Sequence, residues 1–157
     1  EMWYPRFRFA EALLIAAEAA YELGGTNKVK AVEYINRVRA RGGIKELTES
    51  TITFEHIVNE YRVEFAFEDH RWWDLRRWRL AHTVWNGVID SPTAQMYSLF
   101  PYKVYAPGSP YDGKWAFEKS RSYMAPNARN FTMRCYYGSI DDGWINKNPK
   151  LVKNPLQ

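Results

Sequence analysis

The chain has 157 residues, 46% of them hydrophobic and 25% charged, about one domain's worth of globular sequence. Trp 7, Tyr 11 and Phe 8 supply enough apolar mass to exclude intrinsic disorder, and no apolar run approaches the ~20 residues of a membrane-spanning helix. The net charge of +4 lies entirely after residue 83, since residues 1–83 hold 13 basic and 13 acidic side chains and residues 84–157 hold 9 and 5. That excess is too thinly spread to argue for a nucleic-acid partner, because no Lys/Arg run interleaves with aromatics as phosphate binding requires. Prolines divide likewise, with one before the boundary and seven after it. The chain therefore reads as a helical first part, 1–83, and a loop-rich, aromatic second part, 84–157.

In chain order, Phe9 to Leu23 places Ala10, Leu13, Leu14, Ala17, Ala20 and Tyr21 on one stripe of an amphipathic helix. Alanines at 16, 17, 19 and 20 leave a smooth surface that a neighbouring helix can approach closely. Gly24-Gly25 ends the helix, and Thr26-Asn27 offers N-cap oxygens for a second one over Lys28 to Arg41. The second helix carries Ala31, Tyr34, Ile35 and Val38 on one face and closes at Gly42-Gly43. The two form a hairpin the size of one tetratricopeptide unit, and such a unit needs neighbours to bury its faces.

A third helix is expected after Thr53, whose hydroxyl is the expected cap, with the stripe Phe54, Ile57, Val58, Tyr61 and Phe65. Its pattern runs on through Phe67 to Trp78. There three tryptophans and four arginines, Arg71, Arg76, Arg77 and Arg79, crowd into nine residues. They read as a structural charge–aromatic cluster, with Glu64, Glu68 or Asp74 pairing to arginines on adjacent turns. Residues 84–143 are punctuated by turn signals such as Asp90-Ser91-Pro92, Ala106-Pro107-Gly108 and Asp141-Asp142-Gly143. The aromatic stretches Met96–Tyr105 and Phe131–Tyr137 alternate only in part, which allows short strands or a hairpin but not a full sheet.

Catalytic and metal chemistry finds little support. His56, His70 and His82 lack metalloprotease spacing, Asp141-Asp142-Gly143 is too short for a calcium loop, and no phosphate loop or nucleophile elbow occurs. No catalytic residue, metal or cofactor is assigned. Cys135, the single cysteine, cannot form an internal disulfide and reads as a buried, inert thiol. The opening Glu1-Met2-Trp3-Tyr4-Pro5 has no signal-peptide pattern, and a start at glutamate reads as the sequel to something upstream.

Several blocks carry a resemblance. Arg8-Phe9-Ala10-Glu11-Ala12-Leu13-Leu14 with Ala17-Glu18-Ala19 resembles the R-Y-A-E-x-L-L-x-x-A-E-A helix of the SusD/RagB family. Ile35-Asn36-Arg37-Val38-Arg39-Ala40-Arg41-Gly42-Gly43 is similar to its I-N-x-V-R-x-R-A-G helix. Glu60-Tyr61-Arg62-Val63-Glu64-Phe65-Ala66-Phe67-Glu68, followed by Arg71-Trp72-Trp73-Asp74-Leu75-Arg76-Arg77-Trp78, resembles E-R-R-x-E-L-A-F-E-G-x-R-W-x-D-L-x-R-W. Asn148-Pro149 through Asn154-Pro155 resembles the terminal N-P-x-L-x-Q-N-P. Tyr61 departs from the family's arginine, and Asp69 stands where glycine is usual, a residue type that tolerates the left-handed conformation.

The resemblance implies a mainly α fold, a SusD-like α/α superhelix of tetratricopeptide-like hairpins and further helices with a loop-rich irregular portion. It implies the C-terminal part of a longer outer-membrane lipoprotein of Bacteroidetes, held at the extracellular face by a lipid anchor outside this chain. It also implies a non-catalytic protein that binds glycans, or peptides in some branches, and delivers them to a SusC-like TonB-dependent transporter. A helical protein-interaction scaffold is the alternative, and a glycosidase is a third. Sugar binding needs flat aromatic faces with polar groups at their edges. Trp85, Tyr97, Tyr105, Tyr111, Trp115 and Arg129 are the ligand-binding candidates, with Tyr102, Tyr123, Asn86, Asp112 and Asn127 as further possible contributors. Packing of these aromatics onto the helices is the competing role.

Overall fold

The computed structural model describes residues 7–121 and 126–157, with the side chain of Arg121 outside the description. The candidate Tyr123 lies outside the described residues. The fold is mainly α: helices α1 (Phe9–Leu23), α2 (Lys28–Arg41), α3 (Phe54–Glu64), α4 (His70–Arg77), α5 (Ala81–Val84) and α6 (Asp142–Lys147), with strands β1 (Tyr97–Lys103) and β2 (Trp115–Arg121). The chain divides into two compact units, residues 1–74 and 75–157, the division falling inside α4.

In the first unit, α1 packs against α2 and α3. The expected stripes are the buried ones. Leu13, Leu14, Ala17 and Ala20 of α1 meet Ala31, Ile35 and Val38 of α2, and Ile57, Tyr61 and Phe65 complete the core from α3 and its end. Ala17 and Ala31 are wholly buried, and with no side chain beyond Cβ they let the helices close on one another. Gly24 ends α1 at φ 65, where a side chain would be strained. A single 3-10 turn, Gly25–Asn27, then leads into α2. The expected N-cap bond from this segment is not made: Asn27 is itself helical, so its side chain is not poised to cap.

Thr53 caps α3 as expected. Its Oγ1 accepts from the His56 backbone N–H at 3.3 Å, while the His56 Nδ1 accepts from the Thr53 N–H, a capping box with histidine in the third position. The third helical pattern does not run unbroken to Trp78. The chain leaves the helix at Phe65, takes positive φ at Phe67 (68°) and Asp69 (61°), and restarts as α4. Between α2 and α3, the Asn36 side-chain amide pairs with both backbone groups of Leu47 at 2.8 and 2.9 Å, fixing the loop.

The second unit has its own small core of Leu75, Ala81, Trp85, Phe131 and Tyr136. Phe131 meets Tyr136 edge-on with ring centres 4.8 Å apart, and its N–H donates to the Trp85 carbonyl at 2.7 Å. Of the two aromatic stretches, Met96–Tyr105 contains β1, whereas Phe131–Tyr137 contains a 3-10 turn, Met133–Tyr136, and no strand. The reason is that Phe131 and Tyr136 both serve the core, a spacing of five that an alternating strand cannot satisfy. Asp141-Asp142-Gly143 starts a helix, since the Asp141 carboxylate accepts from the Gly143 N–H at 2.8 Å as the N-cap of α6. The chain end is tied down by Gln157, whose side-chain amide bonds both the N–H and the carbonyl of Ile140 at 3.0 and 2.7 Å. Asn154 adds a bond to the Gly138 carbonyl.

Candidate functional site

Charge in the first unit is largely engaged in holding the fold. Arg8 donates to Glu64 at 2.8 Å and to both oxygens of Glu68 at 2.8 and 2.9 Å, and Arg41 adds a 2.6 Å bond to Glu64. Arg39 reaches the buried Glu60 at 2.6 Å and the Lys45 carbonyl. The expected acid–arginine pairing is present: Glu64 and Glu68 draw their partners from the start of α1 and from α2, whereas Asp74 acts on Arg71, one turn before it. Helical geometry explains this: α3 turns Glu60 and Glu64 toward the α1–α2 hairpin, and Glu68 follows the break at Phe65. Hydrogen bonding by Glu68, ahead of Glu64, holds the Arg8 guanidinium above its usual range.

Two recesses open on this unit. One, about 360 Å³, is lined by Arg8, Phe9, Leu13, Arg37 and Arg41, and the other, about 390 Å³, by Glu11, Glu68, Asp69, His70, Trp73 and Asp74. Arg8 is already paired with Glu68 and Arg41 with Glu64, and Arg37 lies over the Phe9 ring at 5.3 Å. Both recesses are therefore floored by groups with structural duties. Among the described residues no group of three or more His, Cys, Asp and Glu could hold a metal ion.

In the second unit the sequence candidates separate into two sets. Trp85 is only 7% exposed and belongs to the core, with the Arg129 guanidinium 5.9 Å from its ring centre at the surface. Tyr97, Tyr105, Tyr111 and Trp115 all lie on the β1–β2 hairpin and its connecting loop. Of the further contributors, Tyr102 is on β1, Asp112 is in the loop, and Asn86 pairs with Asn130 as an isolated bridge. Asn127 is exposed.

The hairpin has a definite construction. β1 and β2 are antiparallel with Tyr97 opposite Arg121 and Lys103 opposite Trp115. Directly opposed residues share a face, and alternate residues switch it. One face therefore carries Tyr97, Leu99, Pro101 and Lys103 with Trp115, Phe117 and Lys119; the other carries Ser98, Phe100 and Tyr102 with Ala116, Glu118 and Ser120. Leu99, Trp115 and Phe117 are 64%, 63% and 62% exposed, a contiguous apolar strip where packing onto helices was the competing role. Tyr97 is held by its hydroxyl, which donates to Asp90 at 2.6 Å, and by the Lys119 ammonium 3.9 Å from its ring centre. The loop is ordered: Val104 and Gly113 extend the ladder, and the Asp112 carboxylate accepts from the Ala106 N–H at 2.9 Å. It presents Tyr105, 88% exposed, and Tyr111, over whose ring Lys114 lies at 5.5 Å.

Sequence reasoning selected individual aromatics but did not find β2. Phe117, Leu99 and the lysines became part of a surface only through the strand register. The Trp115-x-Phe117-x-Lys119 alternation was the available signal.

Comparison with known proteins agrees with this architecture. The sequence model of the SusD family matches residues 1–156. The chain is 36% identical over 101 residues to SusD-like protein P2 of Formosa agariphila, covering 57% of this chain and 20% of that protein. It is 33% identical over 107 residues to the starch-binding protein SusD of Bacteroides thetaiotaomicron, covering 64% of this chain and 18% of that protein. Among solved structures, a SusD-like protein from Bacteroides fragilis superposes with a TM-score of 0.69 at 27% identity, over 96% of this chain and 25% of that one. Surface glycan-binding protein A from Bacteroides uniformis gives 0.54 at 26% identity, over 96% and 27%. The chain thus spans about a fifth to a quarter of the length of these relatives. Among the described residues no helix is long and apolar enough to cross a membrane. With nearly the whole sequence matched and the helical hairpin, capped third helix and C-terminal segment in place, the chain belongs to the SusD family.

Proposed function

We infer that this chain is the C-terminal part of a non-catalytic glycan-binding protein, displayed at the outer face of a bacterial outer membrane through a lipid anchor elsewhere in the protein. Its glycan passes to a SusC-like TonB-dependent transporter. The printed descriptions of two relatives, starch-binding and surface glycan-binding, support the ligand class. The observation that carries this chain's own part in it is the hairpin, where Tyr105, Tyr111 and Trp115 stand exposed on an ordered support. Rings held in this way offer flat apolar faces to sugar C–H groups at little cost in side-chain ordering.

The test is affinity electrophoresis of the full-length protein in gels containing candidate polysaccharides, with Trp115→Ala and Tyr111→Ala beside the parent. A retained parent and a roughly tenfold weaker Trp115→Ala variant, ~1.4 kcal/mol, are expected. The polysaccharide is expected to emerge uncleaved, and rapid hydrolysis would overturn the non-catalytic reading. Retention unchanged in both variants would place the glycan elsewhere in the protein.

A further inference from the structure

The two faces of the hairpin differ in charge. Lys103 and Lys119 share the face of Leu99, Trp115 and Phe117, while the strand's carboxylate, Glu118, points to the opposite face. Of the loop acids, Asp112 accepts a bond from the Ala106 backbone and Asp90 accepts one from the Tyr97 hydroxyl at the Lys119 end of the face. Among the described residues neither Lys103 nor Lys119 forms an ion pair, in contrast to Arg8, Arg39 and Arg41, each of which has a carboxylate within 2.8 Å. Lys119 rests over the Tyr97 ring, which orients the ammonium without neutralising it.

Spacing matters as much as sign. Lys119 lies opposite Leu99, four residues along the strand from the Lys103–Trp115 pair, so the two ammonium-bearing positions are ~13 Å apart at ~3.3 Å per residue. Trp115 and Phe117 stand beside and between them on the same face. A flat apolar strip with a cation toward each end and no carboxylate among its own strand residues complements a ligand that alternates ring faces with negative charge. It suits a neutral glycan less well, since two unneutralised ammonium groups then gain only hydrogen bonds to hydroxyls.

We propose that this hairpin face takes an anionic polysaccharide, with carboxylate or sulfate groups on Lys103 and Lys119 and sugar rings on Trp115 and Phe117. This rests on the reading of the hairpin as a glycan contact and narrows it to a ligand class. A single-stranded nucleic acid also joins stacking to negative charge. The face has two lysines and the chain lacks any longer basic run, so the shorter, sparser charge of a glycan is the better fit.

The experiment uses the full-length protein in affinity gels of a neutral glucan, a polyuronate and a sulfated galactan, with an oligonucleotide as competitor. The parent is expected to be retarded more by an anionic gel than by the neutral one, and less as salt rises. The uronate and sulfate arms tell which anion is read. The Lys103→Gln/Lys119→Gln double variant is expected to lose roughly tenfold in anionic retention, with an unchanged melting temperature, and Trp115→Ala is expected to lose a similar factor. Neutral retention matching anionic retention, or a double variant that binds the anionic gel like the parent, overturns this inference while leaving glycan binding intact. Anionic retention untouched by Trp115→Ala overturns it too, as mere polyanion attraction. Equal displacement by the oligonucleotide assigns the face to nucleic acid. No retardation by any polysaccharide removes the glycan reading itself.

Discussion

Glu64 accepts from Arg8 and Arg41 at once, and so ties the start of α1, the end of α2 and the end of α3 together through one carboxylate. Its side chain is only 10% exposed, and removing it leaves the part-buried Arg8 with Glu68 alone and unties Arg41, whose exposed guanidinium then turns to water. Glu64→Ala is expected to lower stability by about 2 kcal/mol, read as a lower urea midpoint with an unchanged slope. Cys135, expected to be buried and inert, is instead exposed, and its surroundings change its chemistry and not its packing. The Thr132 hydroxyl, 3.4 Å from Sγ, is foremost in holding the thiol below its ordinary range, helped by the Thr132 backbone and by Arg134 and Arg76. A lowered value means more thiolate at a given pH, so alkylation by iodoacetamide should begin at lower pH than for a free cysteine. Thr132→Val is expected to move that onset upward, and a rate–pH profile unchanged by the substitution would refute the assignment.

At the scale of elements, local chemistry decides where helices start, and backbone strain decides where they stop. The Thr53–His56 box satisfies two backbone groups at the start of α3, so Thr53→Ala should cost about 1 kcal/mol and lower the melting temperature accordingly. Between α3 and α4 the chain turns through two non-glycine residues at positive φ. Asp69 suits that conformation, but Phe67 is fully exposed and gains no burial in return. Phe67→Gly is expected to raise stability by about 0.5 kcal/mol, the strain relieved outweighing the extra freedom of the unfolded chain. A loss of stability would show that the Phe67 ring makes contacts that offset its strain. Pro101 belongs to this scale as well. It has no N–H to offer, which fits β1 to an edge position in a two-stranded sheet.

At the scale of the whole molecule, the unusual feature is how much apolar surface remains in water. Phe9, Ile15, Leu23 and Val29 of the helical pair are all at least half-exposed. A tetratricopeptide-like pair needs neighbours to cover such faces, and the relatives are about three to four times as long as this chain. The 157-residue chain alone is therefore expected to enhance the fluorescence of an apolar dye such as ANS, and the full-length protein to do so much less per molecule. Equal enhancement by both would mean that these faces stay open in the longer protein.

The amino-acid sequence by itself determined α1, α2 and the start of α3. Their bounds follow from a 3.6-residue apolar period and from glycine and threonine at the ends, all of which act over a few residues and need no distant partner. The family blocks were equally legible, and their recurring residues have local or near-local work: Arg8 and Glu64 form the ion-pair hub, Asn36 pins the loop at Leu47, and Leu75 fills the second core. Only the tertiary structure decided what the second part does with its aromatics. Trp85 and Trp115 are the same residue type in similar loop-rich surroundings, yet one is buried beside Phe131 and the other stands on an exposed strand. That difference depends on pairing across a long connection, Lys103 with Trp115 and Asn86 with Asn130, which no local period encodes. The basic excess after residue 83 was visible as a count, but the register alone placed Lys103 and Lys119 on one aromatic face with no acid among its strand residues.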